Sequence, residues 1–171
     1  MLATNSFKAD INNLAVLIDW IDQFEIENLP ISKVKLKLLL NEAFVNACEN
    51  VNDAATEVRV IIKRLSRRHG LSIIVTDQGR GFNIDGLRGG FKPAMIGKSY
   101  LVSPHPNLDL YAIPENVNKI SFSSTVTNTH RASLPDRSRG ILSMVNVADK
   151  VEYFYDPDSF NYLKISLFNP K

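Results

Sequence analysis

One cysteine, Cys48, stands in a chain of 171 residues. That excludes an internal disulfide and fits a reducing compartment. No run approaches the roughly 20 consecutive apolar residues that cross a bilayer. The segment Met1 to Lys8 has no apolar stretch of signal-peptide type, so the expectation is a cytoplasmic protein that does not engage a membrane. Neither sign of charge dominates: Lys and Arg number 20 against 18 Asp and Glu, a net charge of +2. This balance gives no argument for direct nucleic-acid binding or for an anionic surface as partner. The basic run Lys63, Arg64, Arg67 and Arg68 reads as a solvated strand end and turn. The three histidines, His69, His105 and His130, share no ligand spacing, and neither a zinc site nor a Ser/His/Asp triad is supported. What is present is ordinary for one soluble domain, 44% hydrophobic and 22% charged, in a length that a single core can serve. Cys48 lies among apolar residues and is expected to behave as a small buried hydrophobe.

Periodicity divides the chain into elements. Leu14, Leu17, Ile18, Ile21 and Phe24 recur at helical spacing and predict an amphipathic helix over residues 10–24. Pro30 ends that pattern. Ser32 is placed to cap a longer helix to about Asn52, with Leu36, Leu40, Ala43, Phe44, Ala47 and Val51 as its apolar face. Two β-rich runs, 57–65 and 71–76, flank the polar turn Ser-Arg-Arg-His-Gly and predict a hairpin. Regular pattern is scarce from Asn83 to Ser138, where Gly86, Gly89, Gly90, Pro93, Gly97, Pro104, Pro106, Pro114 and Pro135 punctuate the chain. Only residues 119–126 suggest a strand there, and so long a connection in a compact domain is usually functional or partly disordered. A helix over 140–148 and a second hairpin, 150–155 with 160–168 about the turn Asp-Pro-Asp-Ser, complete a single domain over 1–171. Helices mixed with antiparallel hairpins predict a two-layer α/β sandwich.

Three constellations stand out. Glu42 and Asn46 are four apart and share a helix face, with Glu49, Asn50 and Asp53 continuing the polar stripe. By itself such a stripe is a solvated helix face; as a site it offers a carboxylate able to orient a proton and a carboxamide oxygen suited to Mg²⁺. Asp77-Gln78-Gly79-Arg80-Gly81-Phe82 follows directly on a strand. Glycine admits close approach of backbone to a ligand, and a carboxylate there can accept from an exocyclic amine such as that of adenine; a plain turn is the alternative. Ser138-Arg139-Gly140-Ile141-Leu142 opens a helix, whose unpaired N–H groups can meet phosphate or can simply be a helix start. Two other phosphate motifs fail on spacing. A dinucleotide fingerprint needs glycine where Ile84 stands, and a P-loop ending at Gly97-Lys98-Ser99 needs glycine where Lys92 stands.

In this order, and on these kinds of element, the three constellations resemble the GHKL superfamily of gyrase-like, chaperone-like and histidine-kinase-like ATPases. Asn41 to Ala47 is similar to its N box, Asp77 to Phe82 to its G1 box and Ser138 to Leu142 to its G2 box. The resemblance implies an α+β Bergerat-type fold with a mostly antiparallel sheet and helices on one face. It implies ATP and Mg²⁺ as cofactors, Glu42 as the catalytic carboxylate and Asn46 as the metal ligand. Asp77, Gly79, Gly81, Phe82, Gly140 and Ile141 join Asn46 as nucleotide-binding residues, and residues 83–137 become an ATP lid. Guanine, with a carbonyl at the edge that faces Asp77, cannot donate there as adenine does. Within the superfamily the chain is most similar to bacterial anti-sigma-factor serine/threonine kinases, through its shortness and the run Val147 to Tyr153. That implies protein partners, a sigma factor or an anti-sigma-factor antagonist, and allows a homodimer. Ser138 replaces the first glycine of the G2 box, and the lid is long for that group. A docking module without kinase activity and a stand-alone histidine-kinase-like catalytic domain stay open beside the serine/threonine kinase.

Overall fold

The computed structural model describes residues 3–24, 30–51, 53, 55–65, 70–79, 92–127, 139–156 and 160–168. The elements are β1 (Ala3–Lys8), a 3₁₀ turn at Ile11–Asn13, α1 (Leu14–Asp22), α2 (Lys33–Asn50), β2 (Glu57–Leu65), β3 (Gly70–Asp77), a 3₁₀ turn at Pro93–Met95, β4 (Tyr100–His105), β5 (Leu108–Asn116), β6 (Lys119–Val126), α3 (Arg139–Val147), β7 (Lys150–Phe154) and β8 (Asn161–Leu167). The strands form one eight-stranded sheet in the order β1-β2-β3-β8-β7-β6-β5-β4, with every neighbouring pair antiparallel. The architecture is the expected α+β sandwich, with helices packed on one face of the sheet.

Period-two burial marks that face. In β2, Val58, Val60 and Ile62 are buried while Glu57 and Arg59 point to solvent; Ile73 and Val75 of β3 and Leu163 and Ile165 of β8 continue the inner face. Against it α2 sets Leu36, Leu39, Leu40, Ala43, Phe44 and Ala47. The Ser32 hydroxyl accepts the Lys35 N–H and caps this helix as the sequence predicts. Helix α1 contributes Leu17, Trp20 and Ile21, and Phe7 lies edge-on to both Trp20 and Phe44, with ring centroids 5.7 and 5.9 Å apart. Cys48 is half-buried, and burial pushes its thiol up to about 11, so it stays protonated and fills space.

Two parts of the sheet depart from the sequence reading. Edge strand β1 has few strong β-formers, yet its register with β2 runs from Ala3↔Ile62 to Lys8↔Glu57. The larger departure is the meander β4–β5–β6. Residues 100–126 are three sheet strands rather than a connection of scarce regularity, although 119–126 is a strand as expected. The prolines that obscured the pattern occupy places where a strand tolerates them. Pro104 lies on the outermost strand, and Pro114 lies where the β5–β6 register shifts between Pro114 and Asn116. The β4–β5 turn holds Asn107 at φ 64°, a conformation asparagine tolerates.

The outer face of the sheet carries a charge network. Glu152 of β7 is buried although no helix among the described residues covers it, because Lys119, Lys150 and Lys164 close over it at 2.5, 2.8 and 3.6 Å. Glu115 accepts Lys119 and Lys150 as well. Burial pushes the Glu152 carboxyl up, and Lys119 and Lys150 outweigh that and hold it below its ordinary range. Phe154 and Tyr162 stack beside this cluster, centroids 4.2 Å apart, with Lys119 above the Phe154 ring.

Candidate functional site

Helix α2 lies between the end of β3 and the start of α3, and its polar stripe meets both. At one end, a methyl group on Gly79 would fall 2.3 Å from the Asn50 carbonyl oxygen. Only a residue without Cβ lets the chain leave β3 this close to α2. At the other end, a methyl group on Gly140 would fall 2.9 Å from Oε2 of Glu42; the carboxylate therefore lies against the first turn of α3. Glu42, Asn46 and Asn50 are each four residues apart, and the eight residues from Glu42 to Asn50 advance about 12 Å along the helix. The stripe thus runs from one glycine loop to the other, a span suited to an extended nucleoside triphosphate.

Asp77 ends β3 with 2% of its surface exposed. Its Oδ1 accepts the Gly79 N–H at 2.7 Å and the Asn161 amide at 3.2 Å. The same Asn161 Nδ2 donates to the Gly79 carbonyl at 2.8 Å. Asn161 faces Asp77 in the β3–β8 register, so one carboxamide pins both ends of the Asp77–Gly79 turn. Burial pushes the Asp77 carboxyl up, and the donors Gly79 and Asn161 only partly offset it. The Asn161 Oδ1 atom is buried with no hydrogen-bond partner among the described residues. A buried acceptor without a donor is uncommon and is satisfied by something that brings one.

The predicted site residues divide as follows. Glu42 and Gly140 are in contact, and Asp77 and Gly79 form one hydrogen-bonded turn against the end of α2. Asn46 shares the helix face of Glu42, and its backbone carbonyl accepts the Asn50 amide at 2.8 Å. The Ile141 side chain is buried in the core, which leaves only its backbone to face a ligand. Gly81 and Phe82 lie outside the described residues, as do Ser138, His69 and His130. Asn161 was not read from sequence as a site residue. Its signal was a polar residue at the start of an apolar strand, which acquires meaning only with the β3–β8 pairing. Among the described residues no group of three or more His, Cys, Asp or Glu could hold a metal, and no helix is long and apolar enough to cross a membrane.

These features are of the kind that a nucleotide site of an α+β ATPase requires. A buried carboxylate with an orphan acceptor beside it suits an exocyclic amine, and two glycine contacts keep the pocket walls free of side chains. The chain belongs to the histidine kinase-like ATPase domain family, whose model matches residues 7–161. Membership of that family implies ATP as the ligand. No curated protein sequence matches the chain.

Proposed function

We propose that the chain is an ATP- and Mg²⁺-dependent serine/threonine protein kinase of the anti-sigma-factor type, acting on a protein partner. The observation that carries this reading is the placement of the Glu42 carboxylate against the first turn of α3, on the same helix whose far end packs against Gly79. When bound, ATP with Mg²⁺ supplies the phosphoryl group and neutralises its charge. Asp77 reads the adenine amine with its carboxylate, held in place by Gly79 N–H and Asn161. Asn46 offers its carboxamide oxygen to the metal from the helix face it shares with Glu42. Glu42 orients and accepts the proton of the attacking serine hydroxyl, and the N–H groups at the start of α3 face the phosphates. Gly81 and Phe82 keep the nucleotide-binding role that the resemblance implies. The lid role narrows to residues 83–99 and 127–137, because 100–126 belongs to the sheet. Arg88, Lys92 and Lys98 are the candidates to reach the terminal phosphate.

Radiolabel transfer to a co-purified partner tests the assignment. Glu42→Ala is expected to keep ATP affinity and to lose transfer by about 10²–10⁴-fold, the usual contribution of a positioned base. Asn46→Ala is expected to lose both. Label on serine or threonine, rather than histidine, separates this reading from a histidine-kinase-like catalytic domain. A wild type that binds ATP and its partner but transfers nothing would make the protein a docking module.

A further inference from the structure

The sheet face away from the helices holds an open trough of about 470 Å³, within the range of small-molecule sites, about 300–1,000 Å³. Each strand lines it with a different chemistry. From β2 come Glu57 and Arg59, two residues and about 7 Å apart along the strand. Both are exposed, and among the described residues neither makes an ion pair. From β3 come Thr76 and Gln78, a hydroxyl and a carboxamide for the floor. From the β8 side come the rings of Phe160 and Tyr162. The registers Arg59↔Thr76 and Thr76↔Tyr162 set these groups side by side, so the charged wall and the aromatic wall stand two strand spacings apart, about 10 Å. Tyr162 is steadied by its stack on Phe154. Phe160 is 50% exposed, a large ring left uncovered beside the trough.

The charges select the ligand. A plain anion such as phosphate meets Glu57 as well as Arg59, with Asp156 also lining the trough, so like charge opposes it. A plain cation meets the Arg59 guanidinium. A zwitterion is complementary to both: its carboxylate takes the Arg59 fork and its ammonium takes Glu57. A flat ring on the same molecule then extends across Thr76 to Phe160 and Tyr162, where rings pack offset or edge to face. An aromatic α-amino acid carries these groups in this order, and its length from charged head to ring suits the two strand spacings. We propose that the trough is an effector site for a free aromatic α-amino acid, with Arg59 and Glu57 holding its head and Phe160 and Tyr162 its ring. Thr76 and Gln78 flank Asp77 in sequence but face the other side of the sheet. A ligand that orders them also orders the Asp77 turn, so amino acid and ATP each raise the affinity for the other, as linkage requires. The site stands independently of the nucleotide reading, and the coupling rests on it.

Titration calorimetry of the full chain without nucleotide tests the site, with L-phenylalanine, L-tyrosine and L-tryptophan as probes. At least one is expected to bind. Its N-acetyl form lacks the ammonium and its amide lacks the carboxylate, and each is expected to bind about tenfold more weakly or worse. Two variants assign the contacts. Arg59→Gln is expected to weaken the amino acid but not its amide, and Glu57→Gln to weaken the amino acid but not its N-acetyl form. A merely structural effect would weaken parent and derivatives alike, and circular dichroism checks that both variants are folded. Failure of all three amino acids to bind would overturn the site. So would derivatives that bind as well as the parent, or a parent whose affinity both variants leave unchanged. Titration of ATP with Mg²⁺, with and without saturating amino acid, tests the coupling, and a rise in ATP affinity of about fivefold or more is expected. Equal ATP affinities would overturn the coupling alone. A chain that binds the amino acid but no ATP would remove the coupling together with the nucleotide reading, and the site would stand.

Discussion

Asp77 is held by two opposed demands. The proposed recognition of an amine calls for the ionised carboxylate, while burial raises its pKa above the ordinary 3.8. For a raised carboxyl, the stability gained by protonation is complete below 3.8 and is lost as pH climbs through the folded-state value. Nucleotide affinity runs the other way. Titration calorimetry is expected to show ATP affinity falling on acidification at a higher pH than an unperturbed aspartate would give. Asp77→Asn keeps an acceptor for Gly79 N–H and Asn161 while removing the buried charge. It is expected to stabilise the ligand-free protein at neutral pH by about 0.5–2 kcal/mol, as removal of a strained functional group commonly does, and to weaken ATP binding sharply. A variant that is less stable and still binds ATP would contradict both halves. The two glycines should also behave differently. Gly79→Ala drives a methyl against backbone at 2.3 Å and is expected to destabilise by about 1–3 kcal/mol. Gly140→Ala meets only the end of the Glu42 side chain, so thermal stability should hold while the carboxylate is displaced and activity falls. Residue spacing was enough to single out Glu42, Asp77, Gly79 and Gly140, because each belongs to a short motif on one element. Asn161 was not legible, since its importance arises across strands far apart in the chain.

At the scale of elements, helical periodicity and β-rich runs foretold α1, α2, α3 and both flanking hairpins within a few residues. The meander was hidden because its prolines are read as breakers until the sheet order shows that Pro104 sits on an edge and Pro114 at a register shift. Strand β1 was hidden because pairing with β2, rather than its own propensity, makes it a strand. The meander is joined to the rest of the sheet through β6 and β7, and the Lys119–Glu152 and Lys150–Glu115 pairs straddle that seam. Glu152→Gln removes the carboxylate that three ammonium groups share, leaving Lys119 and Lys150 with Glu115 alone, and is expected to lower stability by about 1–2 kcal/mol, below the value of a buried pair because the lysines keep that partner and contact with water. Since the Glu152 carboxyl is held below its ordinary 4.5, its share of stability is present above that value and is lost as pH falls through the lowered one. Urea denaturation at neutral and at acidic pH checks this: the difference between wild type and Glu152→Gln should shrink in acid.

For the molecule as a whole, ligand binding and folding are coupled by mass action. ATP with Mg²⁺ at a hundredfold excess over its dissociation constant is expected to add about 2.7 kcal/mol to stability, a rise in melting temperature of about 5–10 °C for a domain of this size. GTP should leave the melting curve where it was, and so should ATP added to Asp77→Asn. Equal shifts with ATP and GTP would remove Asp77 as the discriminating contact.

The strand order has a consequence for how the protein is made. Strand β8, the last of the eight to leave the ribosome, is inserted between β3 and β7. Until it emerges, β1–β3 and the ribbon from β4 to β7 are two separate half-sheets, each with an unsatisfied edge where β8 will enter. The carboxamide that pins Asp77 travels on that same strand, 84 residues downstream of its partner. A nascent chain stalled before residue 161 therefore carries every element of the three sequence motifs and still lacks the carboxamide that pins the Asp77–Gly79 turn, so that turn is fixed only with the closing strand.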